Sequence, residues 1–378
     1  MALLTVGVFG KSQMENEKRV PIHPRQLAWI DEEVRQHLFF EEDYGIPFGV
    51  SNDKIRSVVG GMLPREELFE KCDIVLIPKP VLADFKAMKE KTILWGWPHC
   101  VQQKKITQEA IDRKLTLIAW EAMHKWSSSG AWQMHIFHKN NEIAGYASIL
   151  HVIGLLGIDG NYGPPRKVVV ISFGSVSRGA INALHGLGFH DISVFTQRHA
   201  VFVADQIPGV QYFHFERSDS GQLISLHPDR HSMPFIEELA QADVIINGTL
   251  QDTDNPLMFV DKGELDKLKP ESVIIDVSCD EGMGFYFARP TTFEDPMFKQ
   301  EQVYYYAVDH TPSYLWRSAS WAISQSLVPY LPVIMQGPDR WEESETVWRA
   351  IEIKKGVIQN PKILTFQNRA ETYPHEVL

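Results

Sequence analysis

Four residues of this 378-residue chain combine a chemically useful side chain with a place just after an apolar run. Arg19, in NEKRVPIHP, can grip a carboxylate through two parallel hydrogen bonds. Lys79, in IPKP, is held between two prolines and can hydrogen-bond a carbonyl or carboxylate. His99 ends ILWGWPHC, and an imidazole there suits proton donation near neutrality. Asp280, in IIDVSCDEG, can orient a ribose or anchor an amine. Cation, cation, acid/base and carboxylate are the parts needed to bind a small acid and move protons on it. Each residue also fits a structural role, as a surface arginine, a loop lysine or a core histidine beside Trp95 and Trp97.

A fifth feature speaks of a cofactor. In VVVISFGSVSRGAINALHGLGFHDISVF, residues 168–195, a β-branched run enters a small-residue turn, then a helical pattern and a second β-rich run. This is a βαβ unit whose turn aims bare amides and a positive helix end at a pyrophosphate. Glycines are expected at fingerprint positions one, three and six; Ser172, Gly174 and Ser177 stand there. Gly174 keeps the position of close backbone approach. Ser175 and Ser177 are expected to cap the helix, with Val176 between them, and Gly179 to let helix and strand pack tightly. An acid normally follows the second strand and binds the ribose of NAD. Here Thr196, Gln197 and Arg198 follow instead. They suit the extra phosphate of NADP, with NAD as the alternative. Asn247, Gly248 and Thr249, after another apolar run, suit cofactor ribose or phosphate.

The elements that must position these residues alternate. Strands are expected over 3–9, 37–41, 72–78, 92–97 and 115–120, with a helix over 25–36, which implies a parallel sheet in the first third. A helix is expected over 141–157, then strands at 168–171, 243–247, 272–277 and 304–308. A helical tail over 313–331, rich in Trp, Leu and Tyr, is expected to return to the first domain. The last 45 residues, rich in charge and proline, read as a surface extension. The fold class is α/β with two Rossmann-like domains: a discontinuous substrate domain, 1–139 plus 312–378, and an inserted dinucleotide-binding domain, 140–311.

Net charge is −11, from 48 acids and 37 bases, which argues against broad nucleic-acid or anionic-membrane binding. Three widely spaced cysteines, Cys72, Cys100 and Cys279, suggest a reducing compartment and a cytoplasmic protein. No apolar run reaches transmembrane length. His135 and His138 have helical spacing but lack a third ligand, so no metal is expected. Patterns for serine hydrolases, zinc proteases and P-loop nucleotidases are absent.

Taken in order, NEKRVPIHP, IPKP, WGWPH, IIDVSCDEG and ARPTTFEDPMF resemble the alanine dehydrogenase and transhydrogenase family. NEIAGYASIL, GSVSRGA, DVIINGTLQDTDNP and YYYAVDHTPSYLWRSASWAIS resemble its carboxyethylornithine synthase branch. The resemblance spans residues 4 to about 332. It implies that Arg19 and Lys79 hold the carboxylate and carbonyl of pyruvate, that His99 is the acid/base, and that Asp280 contacts nicotinamide ribose or substrate. The branch implies condensation of a 2-keto acid with an amino-acid amine and reduction of the imine by NADPH, in a homo-oligomer. Ammonia as the amine, 2-oxoglutarate as the keto acid, and a non-catalytic nucleotide binder are the rival readings. Two departures stand out. His310 replaces an asparagine expected near the nicotinamide, and tryptophans at 95, 97, 120, 126 and 132 imply an aromatic pocket and an amine other than ornithine.

Overall fold

The computed structural model describes residues 3–227 and 231–378. The chain divides into two compact units, Met1–Lys139 with Trp316–Leu378, and Asn140–Leu315.

The first unit is built on an eight-stranded sheet. Its order is Val357–Ile358, Ile351–Lys354, Thr116–Ala119, Ile93–Gly96, Ile74–Ile77, Val6–Val8, Leu38–Glu41, Gly61–Leu63. The six strands from Thr116–Ala119 to Gly61–Leu63 are parallel; the two C-terminal strands are antiparallel. Strands such as ILWG and TLIA are apolar throughout because both faces are covered. Alternate residues feed two cores. Val6, Val8, Ile74, Leu76, Ile93, Trp95 and Ile118 enter one, and Val75, Ile77, Leu94 and Leu117 the other.

Three expectations are corrected here. The helix over 25–36 is instead a 3₁₀ turn, Pro24–Trp29, and a short helix, Glu32–Arg35, separated by Ile30 in extended conformation. Its apolar residues Leu27, Ile30 and Val34 reach the core through this break. The 313–331 tail is cut into Thr311–Leu315, Trp316–Leu327, Val328–Tyr330 and Leu331–Met335, with Pro329 and Pro332 at the breaks. The last 45 residues are no surface extension. They supply two sheet strands and the buried side chains Trp341, Val347, Ile351, Ile353 and Ile363.

The second unit carries a nine-stranded sheet. Its order is Ser232–Pro234, Leu223–Leu226, Gln211–Arg217, Asp191–Thr196, Lys167–Ile171, Val244–Asn247, Val273–Asp276, Val303–Tyr306, Met297–Gln300. The six strands from Gln211–Arg217 to Val303–Tyr306 are parallel and have the doubly wound order 3-2-1-4-5-6. Strand order reverses between Lys167–Ile171 and Val244–Asn247, where such sheets bind ligands.

Two glycines let helices His138–Leu156 and Ser175–Gly186 cross at close range. A Cβ on Gly145 would lie 1.9 Å from Val176 O, and one on Gly179 would lie 1.7 Å from Glu142 O. Gly179 thus serves a helix–helix crossing, not the helix–strand packing expected of it.

Candidate active site

In the first unit, four chemically capable side chains follow four neighbouring parallel strands. Arg19 follows Val6–Val8, Lys79 follows Ile74–Ile77, His99 follows Ile93–Gly96, and Glu121 follows Thr116–Ala119. Carboxyl ends of parallel strands are where α/β folds gather ligands. Arg19 is 3% exposed. Its Nε donates to Glu17 Oε1 at 2.9 Å, and its guanidinium lies 4.9 Å from the Trp97 ring centroid. The carboxylate fixes one edge of the guanidinium and the ring covers a face, so the cation is pre-oriented. Lys79 is buried at 7% exposure, and its backbone carbonyl accepts the Ser12 hydroxyl at 2.8 Å. A Cβ on Gly96 would lie 2.1 Å from Ile77 O, so WGWPH needs glycine there to run close beside the strand that presents Lys79.

His99 has φ +49°, a left-handed conformation. Its backbone N–H donates to Glu121 Oε1 at 2.7 Å, and its Nδ1 stands 3.8 Å from that oxygen. Its ring is partly exposed. Burial and the Glu352 carboxylate push Glu121 well above the usual carboxylate range, while Lys79 pulls it back. Sequence reasoning missed Glu17, Glu121 and Glu352. The first two carried a signal, since Glu17 sits two residues before Arg19 and Glu121 ends LTLIAWE as His99 ends ILWGWPH.

The tryptophans are mostly core. Trp95 and Trp120 are fully buried, and Trp97 packs on Trp120 with ring centroids 4.7 Å apart. The expected aromatic pocket is therefore not built by Trp95 or Trp120. His135 is spent on the Trp120 carbonyl at 3.0 Å and burial pushes it down to about 4. Among the described residues, no group of three or more His, Cys, Asp or Glu side chains could hold a metal ion.

In the second unit, the turn after Lys167–Ile171 leads into helix Ser175–Gly186 with Gly174 as N-cap residue. Neither Ser175 nor Ser177 caps it: the Gly174 N-cap has no side-chain bond, which corrects the expected role of both serines. A Cβ on Gly174 would meet nothing within 4 Å, so space opens at the helix N-terminus. Ser177 Oγ is buried without a partner, and so is Thr249 Oγ1. A Cβ on Gly248 would come within 2.5 Å of Ser177 Oγ and 3.4 Å of Val176 Cγ1. Gly248 thus joins the two turns that flank the switch point. Open space, a helix N-terminus and two orphaned hydroxyls fit the phosphates and ribose of a dinucleotide.

Arg198 donates to the Phe173 carbonyl at 3.1 Å, while Thr196 Oγ1 accepts the Arg198 amide at 3.4 Å and Gln197 is exposed. Asn247 is 1% exposed, and both ends of its amide are engaged. Its Nδ2 donates to Asp276 Oδ1 at 2.9 Å and its Oδ1 accepts the Thr249 amide at 3.0 Å. Asp276 also accepts the Tyr305 hydroxyl at 2.7 Å, and burial pushes it up to about 7. Asp280, four residues beyond, is partly buried in the turn after this strand. His310 has φ +41°, lies 3.1 Å through Nδ1 from Asp309 Oδ2, and packs on the Phe293 ring at 4.8 Å.

Comparisons with known proteins agree with this architecture. The family descriptions "Alanine dehydrogenase/PNT, N-terminal domain" and "Alanine dehydrogenase/PNT, C-terminal domain" match residues 10–144 and 151–361. N(5)-(carboxyethyl)ornithine synthase of Clostridium botulinum is 29% identical over 330 residues, covering 82% of this chain and 89% of the relative. Alanine dehydrogenase 1 of Staphylococcus aureus is 24% identical over 360 residues, covering 93% of each chain. A solved L-alanine dehydrogenase shares the fold with a TM-score of 0.75 at 20% identity, over 96% of this chain and 99% of that one. No helix among the described residues is long and apolar enough to cross a membrane. With both family domains matched in order around a nicotinamide-dinucleotide fold, the chain belongs to the alanine dehydrogenase/PNT family of oxidoreductases.

Proposed function

We propose that this enzyme uses NADPH to reduce the imine formed between a pyruvate-like 2-keto acid and the amine of an amino acid. The observation that carries the reading is the row of Arg19, Lys79, His99 and Glu121 at the ends of four adjacent parallel strands. Arg19 neutralises the keto-acid carboxylate. Lys79 donates to the carbonyl oxygen and polarises the carbon for attack by the amine. His99 gives a proton to the carbinolamine hydroxyl as water leaves, and takes one up from the attacking amine. Asp280 orients the nicotinamide ribose or the amine. Bound reduced nicotinamide supplies the hydride.

Gly174, Ser175, Val176 and Ser177 would cradle the pyrophosphate, and Gly248, Thr249 and His310 would lie along the ribose and nicotinamide. Asn247 would hold its turn in place through Asp276. The preference for NADP rests on Arg198 and on the lack of a carboxylate among Thr196, Gln197 and Arg198. Three free thiols and a nicotinamide cofactor suit the cytoplasm, and a homo-oligomer goes with the family.

A second reading, reductive amination with ammonia, is favoured by the fuller coverage of the alanine dehydrogenase relatives. The two are separated by following NADPH oxidation with pyruvate and ornithine, lysine or ammonia in turn. Turnover with an amino acid but not ammonia is expected; turnover with ammonia alone would overturn the first reading.

A further inference from the structure

We propose that Glu352, delivered by the C-terminal segment, pairs with Glu121 so that the two carboxyls hold one proton at neutral pH and set the charge beside His99. The use of that charge rests on the catalytic reading above; the protonation of the pair does not.

Ile351–Lys354 lies antiparallel to Thr116–Ala119, the strand that leads into Glu121. The register slips between Ile351, opposite Ile118, and Ile353, opposite Leu117, which leaves Glu352 as an extra residue. Such a bulge re-aims a side chain. Glu352 is 5% exposed, between the core residues Ile351 and Ile353. Its Oε1 accepts Asn360 Nδ2 at 2.9 Å, and its Oε2 is buried without a partner. Glu121, its side chain 25% exposed, divides its two oxygens in the same way. Its Oε1 is spent on the His99 amide, and its Oε2 is buried without a partner.

Two carboxyls that repel each other, each with an orphaned buried oxygen, cannot both stay ionised cheaply. Burial pushes both above the usual carboxylate range, and Glu352 adds to the effect on Glu121. The groups that face the pair are Lys79, His99 and Cys100. Lys79 lowers Glu121, and Cys100 is itself pushed up by burial and both carboxyls, so its thiol adds no charge. One cation and a single proton on the two carboxyls leave the group close to balance. Glu352 touches no substrate in this account. It is a positioning residue that acts through Glu121 on the imidazole.

The test needs no substrate in its first arm. Infrared difference spectra of full-length D276N, the background that removes the other raised carboxyl, should show at neutral pH the carbonyl stretch of an un-ionised carboxylic acid, shifting in D2O and fading as pH rises. Added to that background, E352Q keeps the contact with Asn360 and mimics the protonated state, so that band should be lost from its spectrum. In the second arm, the wild-type kcat/KM profile should carry an ionisation above neutral that E352Q lacks and E352D restores. Absence of the band in D276N, or its persistence in the D276N/E352Q double variant, would overturn the proposal. Should the double variant not fold, the pH titration of the D276N band still decides. Loss of the band with superimposable kcat/KM profiles would support the pair and count against the role given to His99.

Discussion

The guanidinium of Arg198 donates to the carbonyl oxygen of Phe173 at 3.1 Å, which ties the residue after the second parallel strand to the glycine-containing turn after the first. On the proposed reading, this bond holds the cation beside the adenosine ribose of the dinucleotide. Charge-assisted hydrogen bonds of this kind are worth roughly 1.5–3 kcal/mol. Arg198→Ala should therefore raise KM for NADPH about 10- to 100-fold and leave KM for NADH nearly unchanged. Steady-state kinetics with both cofactors checks this; an equal effect on the two would mean that Arg198 does not read the 2′-phosphate.

Ser172 occupies the first fingerprint position with φ +79°, a conformation that L-residues adopt at a cost and glycine adopts freely. Ser172→Gly should raise stability by about 0.5–1 kcal/mol, the relief being offset in part by the greater freedom of glycine in the unfolded chain. A higher Tm in thermal denaturation is expected. A lower Tm would show that the serine hydroxyl contributes more than the backbone strain costs.

Asp276 binds its proton more tightly in the folded protein than in the unfolded chain, because burial pushes it up to about 7. The folded state then holds more protons than the unfolded state between the ordinary aspartate range, about 4, and this value. Its contribution to stability is complete at acid pH and is lost as pH rises through that window, by at most about 1.4 kcal/mol per unit. Asp276→Asn removes the titration while leaving an oxygen for Asn247. The stability of D276N relative to wild type should therefore increase from pH 4 to pH 7, measured by denaturant unfolding. Parallel curves would contradict the assignment.

Much of this was legible in local sequence. Runs such as Val168–Ile171 and Ile74–Ile77 are buried on both faces, so their apolar character alone marks strands, and a polar residue just past each end marks a candidate site. What was not legible depends on partners far away in sequence. Glu352 reads as one more surface charge until its strand pairs with Thr116–Ala119 and a bulge turns it inward. Gly179 reads as a strand contact, whereas a crossing helix beginning near residue 138 decides its role. The serines of the turn after Lys167–Ile171 read as caps because serine favours that role. Here the extended Gly174 takes the cap position and leaves Ser177 Oγ unpartnered.

The central claim is that hydride is delivered to the carbon joining a keto acid to an amino acid. It is tested most directly by turnover with pyruvate, an amino-acid amine and NADPH deuterated at the transferred C4 position, followed by mass spectrometry and proton NMR of the product. The account predicts a secondary amine carrying one deuterium on the carbon derived from the pyruvate carbonyl. Deuterated alanine with the amino acid untouched, or deuterated lactate, would contradict it.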